Sequence, residues 1–501
     1  MPHSDPDMTS NILWPRKSLP IIGDLSVEID PSEQERLSDM ALSLVEAEPA
    51  LGNHHIFAPG VSAGISSGPA LFIEDHRRIA LTLKGTPDLY DYRISMLAED
   101  GDHLVIGGPY NEDFESYRQN VLGLGPLEVH RINTFSRQDC SLAKICMEEQ
   151  PLSEQLCDTA RQSGSFTIFP YQGKGSIWAL AGWIAKETGV PISVVSPPPE
   201  LARLVNDKIW FAQRVIDVLG PQARPALYTA HGATALTSKV IALARKAEDI
   251  IIKHPRSSGS AGNFRIDVAT CRTLGAKALH QHLLDLLHRG GWQEQYPLLI
   301  EVWDDQVISN PSIQFWIPEA ADGLPVIEGL FEQLIEDRVG TFIGATPANL
   351  PEPWCQRFAG EAARLAFLFQ QLGYYGRCSF DAVLFGKNYA SAELHWIECN
   401  GRWGAVSIPM TLAGRLMKDE AKLPFIVIHR KNMNFRRQRF GEALDKISEL
   451  LFRPGKTREG VVLLTPAVIE RGCGVHLMAI GLTSETAKSL AQKAFKLLTK
   501  D

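Results

Sequence analysis

Three consecutive prolines at positions 197–199 divide the chain, and the patterns on their two sides do not belong to one repeating architecture. Proline fixes φ and has no N–H to donate, so neither a helix nor a sheet ladder continues through such a run. Before it, short apolar runs separated by turn residues fall at 71–73, 79–83, 103–106, 127–132, 166–170 and 192–195. Helical spacing intervenes, as at 177–187. Strands alternating with helices predict an α/β unit around a mostly parallel sheet, preceded by a polar leader and a helix over 31–48.

After the prolines the order is irregular. Helical spacing recurs at 207–219, 236–247 and 276–287, with a β-branched strand at 250–253 and further strands at 298–303 and 312–317. A long helix over 352–372 leads to strands at 378–385 and 393–399, and an amphipathic helix closes the chain at 484–498. For 501 residues this predicts three units, 1–200, 201–415 and 416–501.

Charge and composition narrow the partners. The balance is 50 − 58 = −8, which argues against a nucleic-acid backbone as partner. The densest basic stretch, 430–439, reads as a solvated face. No apolar run reaches the ~18–20 residues of a membrane span, and no basic-then-apolar leader opens the chain. The eight cysteines show neither CxxC nor zinc-ligand spacing and read as thiols of a reducing compartment. A cytoplasmic protein with no membrane contact is expected.

The chemistry concentrates in a few stretches. In Trp396-Ile397-Glu398-Cys399-Asn400-Gly401-Arg402-Trp403, every second residue of an extended chain projects to one side, so Glu398, Asn400 and Arg402 would converge. A carboxylate and an amide oxygen suit Mg²⁺, and a guanidinium suits phosphoryl or carboxylate groups. Polar residues on a half-exposed strand are the plain alternative. Lys253 ends a buried strand and precedes a loop holding Ser257, Ser258, Gly259 and Gly262. Backbone N–H groups, serine hydroxyls and a lysine charge can cradle phosphate there, or the loop is an ordinary flexible hairpin. Neither a Walker A loop nor a GxGxxG fingerprint is present, and Gly173-Lys174-Gly175-Ser176 reads as a turn.

Further along, Asn206-Asp207-Lys208 opens a helix, while Glu301, Val302 and Trp303 end an apolar strand whose backbone could meet an adenine edge, with Asp304 or Asp305 near a ribose. Gly373-x-x-Gly376 leads through Arg377 into a strand carrying Asp381, which a turn at 386–390 would lay antiparallel beside Glu398 as a third oxygen ligand.

In this order the motifs resemble the ATP-grasp superfamily, over roughly residues 200–410. More narrowly the chain resembles the pheganomycin-type peptide ligases with a pre-ATP-grasp N-terminal domain, through Tyr92-Arg93, Pro170-Tyr171 and the unit at 472–498. The resemblance implies an α/β N-terminal domain, an α+β ATP-grasp fold of two lobes clamping ATP, and a small C-terminal α+β unit. It implies that Lys208 and Lys253 reach the ATP phosphates, that Ser257, Ser258, Gly259 and Gly262 belong to a phosphate-covering loop, and that Glu301, Val302 and Trp303 form the adenine hinge. Asp381, Glu398 and Asn400 are implied as Mg²⁺ ligands, Arg402 as the arginine that steadies the acyl phosphate, and Lys253 and Arg377 as further catalytic residues. The implied reaction joins a carboxylate to an amine, from amino acids or peptides, with ATP and Mg²⁺ as cofactors, and a homo-oligomer is compatible with it. Two departures stand out: the loop carries few glycines, and the interval from Asp381 to Glu398 is longer than in compact dipeptide ligases. Residues 323–344 are expected as a second mobile cover. The rival readings are a kinase or phosphohydrolase on this fold and a non-catalytic nucleotide-binding module.

Overall fold

A computed structural model describes residues 27–52, 59–77, 88–134, 140–257, 262–336, 340–417, 423–431 and 435–499. The strand expected at 79–83, the residues before 27, and Ser258 and Gly259 of the expected phosphate loop lie outside these.

Residues from Val61 to Val194 build a six-stranded sheet in which every pairing is parallel. Its order is Val61–Ala63, Ile192–Val194, Phe166–Pro170, Ala70–Ile73, His103–Ile106, Glu128–Arg131. Parallel strands need crossovers, and helices such as Glu112–Asn120, Gln150–Ser163 and Gly175–Thr188 supply them. Strand order reverses between Ala70–Ile73 and Phe166–Pro170, the crevice where sheets of this kind take ligands. Glu74, Asp75 and His76 follow one of these strands and Tyr171 follows the other.

A four-stranded antiparallel sheet follows, ordered Leu227–Ala230, Leu298–Val302, Asp249–Lys253, Asn263–Asp267. The two faces of its strands have different fates. Ile250, Ile252, Leu298 and Ile300 join one buried core with the helices Ala233–Ala244 and Ala276–Arg289. Lys253 and Glu301 share the other face, diagonal across the pairing of Leu299 with Lys253.

The third sheet has nine strands. Gly376–Phe385 lies near one edge between Pro311–Ile317 and Glu393–Asn400, and Val326–Glu336 with Thr341–Pro347 continue it as a hairpin. The segment expected as a second mobile cover is therefore mostly strand, because its alternating apolar residues pair within a large sheet. Phe425–Lys431, Gly474–Ile480 and Gly460–Leu463 extend the same sheet at its far end. One face presents Ile313, Phe315, Cys378, Phe380 and Trp396 to the long helix Glu352–Gln371. A separate core runs from Phe72 and Phe169 of the parallel sheet through Trp403 to Val427 and Leu477, joining the N-terminal sheet to the C-terminal strands. Among the described residues no helix is long and apolar enough to cross a membrane.

Candidate active site

The two strands that carry the expected metal ligands pair antiparallel, with Asp381 opposite Glu398 and Ser379 opposite Asn400. A single irregularity sets the geometry. Asp381 pairs with Glu398 but the next residue, Ala382, pairs with Trp396, which leaves Ile397 as an extra residue. Such a bulge turns the faces over. Without it Trp396 and Glu398, two residues apart, would share a face; with it Trp396 packs in the apolar core while Glu398 and Asn400 face the opposite side. Arg224 closes the bulge from outside: its Nη1 donates to the carbonyls of Trp396 and, at 2.7 Å, of Ile397.

Two carboxylates directly opposite one another repel, and here they are tied down by neutral and cationic donors. Ser312 Oγ donates to Asp381 Oδ1 at 2.6 Å and Asn400 Nδ2 to Asp381 Oδ2 at 2.8 Å. Lys208 Nζ stands 3.0 Å from Glu398 Oε2. Burial and the Glu398 charge push the Asp381 carboxyl up to about 7. For Glu398 burial acts upward, but the charges of Lys208, Lys253 and Arg402 outweigh it and hold the group below the usual carboxylate range. The set fits a hard divalent cation by this chemistry: an added positive charge relieves the repulsion, and the Asn400 amide still has its carbonyl oxygen to offer.

Lys208 is placed by three elements. It begins helix Lys208–Leu219, whose N-cap Asp207 accepts from the N–H groups of Ile209 and Trp210. Its own N–H donates to Pro255 O, and its Nζ to Ser257 O, each at 3.0 Å. The near end of the expected phosphate loop is thus pinned to the lysine. Ser257 Oγ donates to His254 O, and a Cβ on Gly262 would fall 2.4 Å from that Oγ, so only glycine lets the loop close here.

Lys253 lies 2.6 Å from Glu301 Oε2, and Arg224 binds the other oxygen of the same carboxylate. Burial and the Arg224 charge pull the Lys253 ammonium down to about 7, against the Glu398 and Asp304 charges, which favour the charged form. Glu301 is therefore an anchor for two cations, a task its place at the end of an apolar strand does not announce. At the expected hinge, the N–H groups of Val302 and Trp303 are already committed to Ala226 O and Asp249 O. A purine edge would have to find its donors elsewhere, which corrects the expectation for those two N–H groups. The Trp303 ring is covered by Arg265 at 4.9 Å, and Asp304 Oδ2 meets His395 Nδ1 at 2.9 Å.

The strand ends at Asn400, so Arg402 is not aligned with Glu398 by strand periodicity. It is held instead by Asn206, whose Oδ1 accepts from Arg402 Nη1 at 2.5 Å and from the Gly401 N–H at 3.1 Å. A Cβ at Gly401 would sit 2.4 Å from Val205, so glycine is needed for this approach. Arg402 Nε also reaches Tyr171 OH at 3.4 Å, at the crevice of the parallel sheet. Around Tyr171 stand His76 and the buried pair Glu74–Arg93. Arg377 departs from expectation. It is 2% exposed and ion-paired with Glu328, its Nη2 donates to Thr411 Oγ1 at 2.9 Å, and its guanidinium lies 4.8 Å from the Trp403 ring. With Nη2 bound to helix Ser407–Met417, Nη1 paired with Glu328 and the side chain buried, its position speaks for packing.

Sequence reasoning did not find Arg224, Ser312 or the role of Asn206. Arg224 sits in a short turn between two prolines, with no pattern marking it. Ser312 becomes visible only through the register that sets it opposite Asp381.

Residues 91–190 match the model of the Pre ATP-grasp domain family. No curated protein matches the chain. Among solved structures, the biotin carboxylase of Campylobacter jejuni is similar at 13% identity, with 86% of this chain and 91% of that one covered and a TM-score of 0.53. The biotin carboxylase domain of Hydrogenobacter thermophilus 2-oxoglutarate carboxylase is similar at 13% identity, covering 85% and 89%, TM-score 0.50. The N5-carboxyaminoimidazole synthetase of Staphylococcus aureus is similar at 8% identity, covering 86% and 99%, TM-score 0.50. At such identities the likeness is one of fold, and the fold is that of a pre-ATP-grasp α/β domain running into an ATP-grasp fold with C-terminal α+β strands.

Proposed function

We propose that the protein is an ADP-forming ATP-grasp ligase that joins a carboxylate to an amine, forming an amide or peptide bond through an acyl phosphate. The observation that carries the reading is the convergence of Lys208 on Glu398 at 3.0 Å beside the cross-strand pair of Asp381 with Glu398. A phosphate-binding cation and a divalent-metal ligand set meet at one spot, joined by Lys253 and Arg402, whose charges act on Glu398. The Hydrogenobacter neighbour was solved with the magnesium salt of ADP, which supports the same nucleotide and metal here.

In this mechanism Lys208 and Lys253 bind the phosphates of ATP and neutralise their charge. Asp381, Glu398 and Asn400 would hold Mg²⁺, which supplies further neutralisation of the transferred phosphoryl group. Arg402, oriented by Asn206 and Tyr171, holds the substrate carboxylate and then the acyl phosphate. The carboxylate oxygen attacks the γ-phosphorus and ADP leaves; the amine nitrogen then attacks the acyl carbon, phosphate leaves and the nitrogen loses one proton. Closure of the loop after Ser257 would keep water from the acyl phosphate.

The crevice beside Arg402 and Tyr171 offers a guanidinium to a substrate carboxylate, and amino acids or peptides are the substrates proposed for it. The division into units 1–200, 201–415 and 416–501 belongs to the same proposal, with substrate choice assigned to the first and to the segments flanking Arg402. Screening carboxylate–amine pairs for phosphate release and weighing the product tests it. Release that needs both partners, with a product equal to their sum less water, is expected. Release with the carboxylate alone would favour a kinase or phosphohydrolase.

A further inference from the structure

The carboxyl ends of the parallel strands face the crevice described above. At their opposite ends lies a second cluster, His103, Glu128 and His130. The parallel register sets His103 beside Glu128 and Val105 beside His130, so the three side chains share one face of two neighbouring strands. His103 Nδ1 lies 2.9 Å from His130 Nε2 and 3.3 Å from Glu128 Oε2, and the donor atoms of all three lie within 4.8 Å of one another. Gln155, on helix Gln150–Ser163, donates to the other Glu128 oxygen and so orients the carboxylate.

Hydrogen bonding between the two imidazoles accounts for one contact but not for all three groups. A neutral Nδ1 carries either one proton or one lone pair. If it donates to Glu128, its proton is unavailable to His130; if it accepts from His130, its lone pair is used there and the Glu128 oxygen 3.3 Å away receives no proton from it. A cation between the three atoms satisfies every lone pair at once.

We propose that His103, Glu128 and His130 form a binding site for a zinc-class divalent ion on the N-terminal domain, separate from the ATP site. Two imidazoles and one carboxylate are a zinc ligand set, whereas Mg²⁺ prefers oxygen alone. Tetrahedral ligands about 2.0–2.1 Å from zinc stand roughly 3.3 Å apart, close to the spacing around His103 Nδ1. Glu128 and His130 belong to the edge strand Glu128–Arg131, so the ion would tie that edge to its neighbour and, through Gln155, to a helix. Gln155 then acts as the outer partner that fixes a ligating carboxylate.

The test uses the full chain, stripped with chelator and equilibrated with micromolar Zn²⁺ in excess Mg²⁺. Bound zinc is measured by elemental analysis and affinity by competition with a chromophoric chelator. One zinc per chain is expected in the wild type and in Glu398→Gln. In His130→Ala and Glu128→Gln, both at partly exposed positions, affinity should fall at least tenfold, and the rise in Tm on adding zinc should disappear. No bound zinc in the wild type, or equal zinc binding in both His130→Ala and Glu128→Gln, would overturn the proposal.

Discussion

Lys253 and Lys208 both border the proposed nucleotide site, but their partners differ. Lys208 is tied to Ser257 O and Glu398, whereas Lys253 is buried against Glu301 and drawn down to about 7 by its surroundings. A desolvated lysine next to transferred phosphoryl groups responds most to charge developing in the transition state. Lys253→Ala should therefore lower kcat by about 10²–10³. Lys208→Ala should act mainly on the KM for ATP; equal effects confined to KM would contradict the assignment. Arg402→Lys should not restore turnover lost in Arg402→Ala, since lysine lacks the planar fork that meets Asn206 and Tyr171 and is proposed to meet substrate as well. Arg377 belongs to another class. Removing one member of a buried ion pair costs about 3–5 kcal/mol, so Arg377→Ala should lower Tm and the yield of folded protein. Normal Tm with lost turnover would return Arg377 to the reaction centre.

At the scale of elements, the site depends on one bulge. Alternation in 393–400 correctly puts Glu398 and Asn400 on one side, yet the same alternation would place Trp396 with them. The extra residue, Ile397, and the Arg224 guanidinium on its carbonyl are tertiary facts that no local pattern contains. Likewise 323–344 reads as a cover, while Val326–Glu336 and Thr341–Pro347 are strands paired within the nine-stranded sheet. Most remaining helices and strands of the first 400 residues were legible because their periodicity is strong and their faces are buried on one side. If the cross-strand set is the metal site, Glu398→Ala and Asn400→Ala should abolish ADP formation with unchanged Tm at saturating Mg²⁺. Near wild-type turnover in either would remove that strand pair from the chemistry.

The whole molecule is joined where the N-terminal domain meets the last strands. His429 and His476 pair across two of these strands with rings 4.6 Å apart, and Tyr90 OH hydrogen-bonds His429 Nε2 at 2.7 Å. Burial, with Arg93 and Lys431 nearby, holds both imidazoles well below their usual range. The unfolded chain binds these protons below about pH 6.5 and the folded chain does not, so stability is full above that pH and falls as pH drops. Each group costs roughly 1.4 kcal/mol per pH unit over that window. Denaturant unfolding at pH 7.5, 6.5 and 5.5 should show the loss, with a shallower slope in His476→Gln; an unchanged slope in the variant would contradict it. None of this junction was legible in sequence, because strands 425–431, 460–463 and 474–480 gain their meaning only as an extension of a sheet begun more than a hundred residues earlier.

The central claim, transfer of a phosphoryl group to a carboxylate, is tested most directly by isotope. With the ¹⁸O-labelled carboxylate from the active substrate pair, ATP and Mg²⁺, ³¹P NMR should show ADP and inorganic phosphate carrying one ¹⁸O from the substrate. Label appearing in AMP, with pyrophosphate as co-product, would mean an acyl adenylate and would contradict the account.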